Sequence, residues 1–202
     1  MHISEGVLSP AVLGAGAVLA AAGIVIGLRK LDYDRLMTVA ILAAAFFVGS
    51  LIHVPIGPSS VHLILNGLLG MLLGWAAFPA IFIGLLLQAV LFQFGGLTVL
   101  GCNTVNMALP AVLFGMAARP FLTRGKAAQL TAGFLCGVLS VFGAALLTAL
   151  CMFFTDEGFL TAAKLLFISE IPVSVVEGLV TMLTAAFLMK VNPELLLGRS
   201  GK

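Results

Sequence analysis

The chain has 202 residues, 61% hydrophobic and only 9% charged, with a mean hydropathy of +1.22 and a net charge of +2. That composition excludes a soluble globular domain. The positive charge is scattered through short loops, so no nucleic-acid partner is expected, and Cys102, Cys136 and Cys151, never spaced as CxxC, indicate neither a disulfide framework nor a zinc site.

A spanning helix needs roughly 20 apolar residues, so the length accommodates about seven spans in one transmembrane domain covering residues 1–202. Ahead of the first span stand Met1, His2, Ile3, Ser4, Glu5 and Gly6, without the Lys or Arg of a signal-peptide n-region; Arg29 and Lys30 follow the apolar run, on the wrong side for a signal. The α-amine of Met1, the backbone nitrogen of His2 and the His2 imidazole lie in series. Amine and amide close a five-membered ring on a metal, and amide and Nδ1 close a six-membered one. Histidine is bulky, and initiator methionine is generally removed only before a small residue, so the amine is expected to remain beside the imidazole. A fourth nitrogen would complete a square plane suited to Ni(II) or Cu(II). His53 and His62 are the other histidines from which it could come. Chance occurrence of histidine at position 2 is the rival reading.

Seven hydrophobic spans are predicted, at about 9–28, 36–54, 60–77, 78–95, 103–119, 127–154 and 171–190. If the connections after the first and fifth spans and the carboxyl tail are cytoplasmic, every Lys and Arg except Lys164 lies inside. The positive-inside rule then predicts the amino terminus outside and the carboxyl terminus in the cytoplasm. The connection holding His53, Pro55, Gly57, Pro58 and Ser60 is then external, on the same membrane face as Met1 and His2.

His62 opens the predicted third span, with Asn66 one helical turn below it and Gly70 and Gly74 continuing the row at i+4. Small residues in such a row admit a neighbouring helix, which turns His62 inward; the alternative is a histidine capped or hydrogen-bonded near the interface. His53, beside Val54-Pro55, reads as an entry-path residue. The glycine- and amide-rich stretch from Gln93 to Met107 is expected either to fold over the amino terminus, held by Asn103 and Asn106, or to form an ordinary capped turn. Residues 158–169 suggest an interfacial helix. Glu177 lies within the seventh span, where an ionisable group is costly and a functional candidate; it shares a face with Glu170. It is expected to orient the amino terminus, to hold a histidine's second nitrogen, or simply to pin helices together. Ala40 and Ala44 form a small-residue pair suited to bundle packing or to a membrane partner.

The opening Met-His-Ile-Ser-Glu-Gly-Val-Leu-Ser-Pro, the Ser60-Val61-His62 element, the Gly95-Gly96-Leu97-Thr98 to Asn103 loop and the Glu177-Gly178-Leu179-Val180-Thr181 segment resemble the cobalt/nickel substrate-capture subunit, CbiM/NikM type, of energy-coupling-factor ABC transporters. The resemblance spans nearly the whole chain. It implies an all-α bundle of seven transmembrane helices with residues 1–8 folded in as the metal-binding segment. It also implies a square-planar site made by the Met1 amine, the amide and imidazole nitrogens of His2, and the His62 imidazole. The expected substrate is Ni2+ or Co2+, with no further cofactor. The expected partners are a transmembrane coupling subunit, met through Ala40 and Ala44, two ATP-binding subunits and, in some assemblies, a small accessory membrane subunit, all at the prokaryotic inner membrane. Where cobalt members carry Cys-Ser-His, this chain has Pro58-Ser59-Ser60-Val61-His62, which favours nickel and leaves cobalt open.

No GxxxxGK[ST] phosphate loop is present, so ATP hydrolysis is not expected of this chain. A stand-alone secondary transporter or channel is the alternative; it predicts internal repeats and charged residues at the membrane midplane, of which Glu177 is the one good example. An intramembrane enzyme lacks support, since there is no HExxH helix and no serine-histidine pair backed by a carboxylate.

Overall fold

The computed structural model describes residues 2–51, 53–56 and 59–197, with the side chains of residues 53–56, 59–61 and 157 set aside. Its helices are α1 (Pro10–Arg29), α2 (Leu36–Gly49), α3 (Asn66–Leu73), α4 (Ala77–Phe92), α5 (Leu100–Ala118), α6 (Lys126–Phe153), α7 (Leu160–Val191) and the short α8 (Glu194–Leu197). Strands β1 (His53–Ile56) and β2 (Ser59–His62) form an antiparallel pair between α2 and α3. The distribution of polarity is that of a membrane protein. Val18, Met37, Ile41, Leu183 and Phe187 face outward, whereas Asn66, Gln88, Asn103, Asn106, Glu170 and Glu177 are buried. Polar groups that lipid cannot satisfy are thus turned into the bundle.

The predicted helical bundle is present, with seven helices besides the short α8, and among the described residues five stretches are long and apolar enough to cross a membrane: Pro10–Arg29, Asn66–Phe92, Leu100–Phe121, Lys126–Phe153 and Leu160–Val191. Several details differ from expectation. The second span, expected to reach residue 54, stops at Gly49, and the chain continues into β1. Pro55 cannot supply a helical N–H and biases Val54 toward extended backbone, which favours the strand. The third span does not begin as a helix either. Residues 59–62 pair with β1, position 62 standing opposite position 53 and position 60 opposite position 55. Leu65 adopts a left-handed conformation (φ 56°) before α3 starts at Asn66. The expectation that Asn66 lies below His62 on one helix face is therefore wrong, because a strand and a left-handed turn separate them.

Gly74 (φ 55°, ψ −128°) breaks the run between α3 and α4. His62, ahead of α3, packs against His2, and Gln88, near the end of α4, hydrogen-bonds it, so the two helices form a hairpin that leaves from and returns to the same end of the bundle. The C-terminal carbonyls of α3 are satisfied by arginines: Arg119 Nε donates to Met71 O at 2.7 Å and Arg35 Nη2 to Leu72 O at 3.2 Å. Cations suit that end of a helix. The close fit of α3 follows from missing side chains, since a Cβ on Gly70 would fall 1.8 Å from the Ala111 carbonyl oxygen of α5.

The interfacial helix expected at 158–169 and the seventh span are one continuous helix, α7, of 32 residues, running through Pro172. It packs along α6, and a Cβ on Gly137 would lie 2.5 Å from the carbonyl oxygen of Glu177. Buried Phe46, Ile64, Leu69, Ile81, Leu85 and Met107 belong to the core shared by α2 to α6.

Candidate metal site at the amino-terminal segment

Residues 2–9 close one end of the bundle, and their docking is specified group by group. The main chain of Ile3 meets the Asn103 side chain twice: Ile3 N donates to Asn103 Oδ1 at 3.0 Å, and Asn103 Nδ2 donates to Ile3 O at 3.2 Å. An amide side chain here does the work of a neighbouring strand. Glu5 N donates to Gly95 O at 3.0 Å, and the Glu5 carboxylate accepts from Thr98 N at 3.0 Å. Its bond to the Thr98 main chain, followed by one to the Thr98 side chain, holds the Glu5 carboxyl below the usual glutamate range. Ser9 N donates to Thr155 Oγ1 at 3.2 Å. Beneath these bonds Ile3 and Leu8 bury their side chains against Val99 and Cys102. Gly95 (φ 76°) is needed at the crossing, since a Cβ there would sit 3.0 Å from Asn103 Nδ2 and 3.5 Å from the His2 ring.

This docking carries His2 inside. It is 4% exposed, and its ring lies 4.6 Å, centroid to centroid, from that of His62, which is 3% exposed. His2 Nε2 stands 2.7 Å from Gln88 Oε1. The orientation of the Gln88 amide follows from its other partners, because Gln88 Nε2 donates to Phe47 O at 3.2 Å and to Ser50 Oγ. Ser50 Oγ in turn donates to Phe46 O at 2.5 Å, so its hydrogen is already committed. Gln88 therefore offers His2 an acceptor, Nε2 of His2 carries the hydrogen, and in the neutral ring the lone pair is on Nδ1. For His62 the assignment is reversed. Its Nδ1 is 3.0 Å from Leu63 O, which only accepts, so the lone pair is on Nε2. The site thus presents Nδ1 of one ring beside Nε2 of the other. Among the described residues no group of three or more His, Cys, Asp or Glu side chains could hold a metal ion, so two imidazoles are what the side chains bring together here.

The other candidates fall into place around this pair. Glu177 orders the turn after His62: its Oε1 accepts from Leu65 N at 2.6 Å and from Ile64 N. The expected bond to a histidine's second nitrogen goes instead to the Leu63 carbonyl. Glu170, also fully buried, takes no hydrogen bond among the described residues. Asn66 belongs to helix packing, donating to Met107 O at 3.3 Å and Ser140 O at 3.2 Å. Asn106 was expected to hold the loop down; its amide instead donates to Thr148 Oγ1 at 3.2 Å, between α5 and α6. Met1 and the side chains of His53 and Ser60 lie outside the described residues. Ala40 and Ala44 are exposed and line an apolar groove of about 330 Å3 with Leu36, Phe47, Pro79 and Ile83.

Sequence reading missed Gln88 and Ser50. The available signal was Gln88 itself, one amide in the apolar run from Phe78 to Phe92, where a polar side chain is costly unless it is paired.

Comparison with known proteins bears on the family and the fold. A family model, "CbiM: Cobalt uptake substrate-specific transmembrane region", matches residues 2–195. A Haemophilus influenzae protein named "Putative metal transport protein" is 47% identical over 199 residues, covering 97% of each chain. The cobalt transport protein CbiM of Sorangium cellulosum is 31% identical, over 97% of this chain and 94% of that one. The fused nickel transport protein NikMN of Rhodobacter capsulatus is 38% identical over 63% of this chain and 38% of its own length. A crystal structure of a transition metal transporter superposes with a TM-score of 0.82 at 27% identity, covering 96% of this chain and 95% of that one. The chain therefore belongs to the CbiM family, the substrate-specific transmembrane region of cobalt uptake, a multi-pass membrane protein and not an enzyme.

Proposed function

We propose that this protein captures a divalent transition metal ion, Ni2+ in preference to Co2+, for an ATP-driven importer of the energy-coupling-factor kind. The ligands in this reading are the Met1 amine, the His2 backbone nitrogen, His2 Nδ1 and His62 Nε2, in a square plane at the outward end of the bundle. What supports it above all is the buried pair of histidine rings, each holding its proton away from the nitrogen the chelate needs. Only Nδ1 of His2 can close a six-membered ring with its own main-chain nitrogen. Nitrogen donors in a plane suit Ni(II) and Cu(II), and relatives named for nickel and for cobalt are both at hand. The energy comes from two ATP-binding subunits through a transmembrane coupling subunit, since this chain has no phosphate loop. The exposed groove at Ala40 and Ala44 is the surface offered to that coupling subunit.

The test is Ni2+ binding by purified protein with a native amino terminus, compared with the same protein extended or acetylated there. Blocking the amine should abolish tight binding, as should His62→Ala, while His53→Ala should have a mild effect. Unchanged affinity after blocking would reject the chelate, and a severe His53→Ala combined with a mild His62→Ala would move the fourth ligand.

A further inference from the structure

We infer that Gln88 is a positioning residue for metal capture, its Oε1 holding the His2 ring with the lone pair on Nδ1, the nitrogen that can close a chelate ring with the His2 main chain. The inference rests on the reading of His2 as a ligand through Nδ1. Gln88 is fully buried in an apolar helix, and each of its hydrogen-bonding groups is committed. The commitments run in one direction. The Phe46 carbonyl fixes the Ser50 hydroxyl, Ser50 and the Phe47 carbonyl take the Gln88 amide hydrogens, and the amide oxygen is left facing His2 at 2.7 Å.

Rotating the imidazole by half a turn would put carbon where Nε2–H now meets that oxygen, so a buried acceptor and a buried donor would both lose their partner. Turning the amide over would bring two N–H groups against the ring and an oxygen against the Phe47 carbonyl. The ring is held against both errors by parts of the fold that never touch the metal. Outer groups that hold a ligand's second nitrogen commonly change metal affinity by about 10- to 100-fold. The relay begins at the end of α2, the helix that also carries Ala40 and Ala44.

The experiment uses the full-length protein with a native amino terminus and 15N-labelled histidine. Gln88→Met keeps an unbranched side chain of similar length and removes the acceptor; Gln88→Glu in its neutral form keeps a carbonyl acceptor toward His2 and an O–H donor toward the Phe47 carbonyl. In metal-free wild-type protein the Nε2 proton of His2 should be slow to exchange with solvent. That protection should be lost in Gln88→Met, with a Ni2+ affinity lower by about 10- to 100-fold and an unchanged helical circular dichroism spectrum. Gln88→Glu should restore both. Wild-type affinity in Gln88→Met would overturn the inference, and so would equal losses in both variants with the Nε2 proton still protected, which would mark Gln88 as packing alone. Proton exchange is read without metal, so it tests Gln88 separately from the chelate, whose failure would appear as Ni2+ binding that survives blocking of the amine.

Discussion

His2 and His62 each commit one ring nitrogen to a neighbouring oxygen, and the nitrogen left with the lone pair differs between them, Nδ1 in the first and Nε2 in the second. Both rings must be neutral to bind metal, and in the proposed chelate the Met1 amine must be neutral and the His2 amide must lose its hydrogen. Metal binding therefore displaces protons. With the free amine titrating near ~8 and imidazole near ~6.5, apparent Ni2+ affinity should fall on the order of tenfold or more between about pH 8 and pH 6. Calorimetry in buffers of different ionisation enthalpy should register proton release. Binding without release would count against the amine and amide as ligands. That His2 could chelate through Nδ1 is visible in the residue order alone. The acceptor that its other nitrogen meets is not, because that acceptor belongs to Gln88, 86 positions away in the chain.

At the scale of elements, the segment from β2 into α3 is the part most dependent on its neighbours. It contains Leu65 at φ 56°, and the main-chain donors of Ile64 and Leu65 are taken up by Glu177 of α7. Glu177→Ala would leave both donors buried without an acceptor, at about 1–3 kcal/mol each. A lower thermal midpoint together with weakened Ni2+ binding is the expected outcome, since the turn positions His62. Glu177→Gln should be much milder, its amide oxygen still able to accept from both groups. Equal damage in the two variants would mean that the carboxylate's charge is what matters. Apolar runs around residues 36–54 and 60–77 predict helices in both places. The strand pair replaces the ends of these helices because Pro55 interrupts the ladder and because Glu177 supplies acceptors where helical carbonyls would otherwise stand.

The whole molecule is a shell of outward-facing aliphatic side chains around buried amides and carboxylates, with one end closed by its own amino-terminal segment. If the groove at Ala40 and Ala44 receives the coupling subunit, Ala44→Trp should abolish transport by the assembled importer while leaving Ni2+ binding by the isolated subunit unchanged. Loss of binding in the isolated subunit would instead mean that the groove supports the site through α2. Composition and apolar run length by themselves determined a multi-pass, mostly helical membrane protein, and the order Met1-His2 together with His62 determined which nitrogens stand as candidates, because hydrophobic length and chelate ring size are local properties of the chain. Only the tertiary structure decided that α3 and α4 fold back as a hairpin, that residues 53–56 and 59–62 pair as strands, and that Gln88 and Glu177 serve the two histidines. The hairpin and the strand pair join near neighbours, but the bonds of Gln88 and Glu177 link segments about 40 to 110 residues apart, whose energies no local pattern of residues contains.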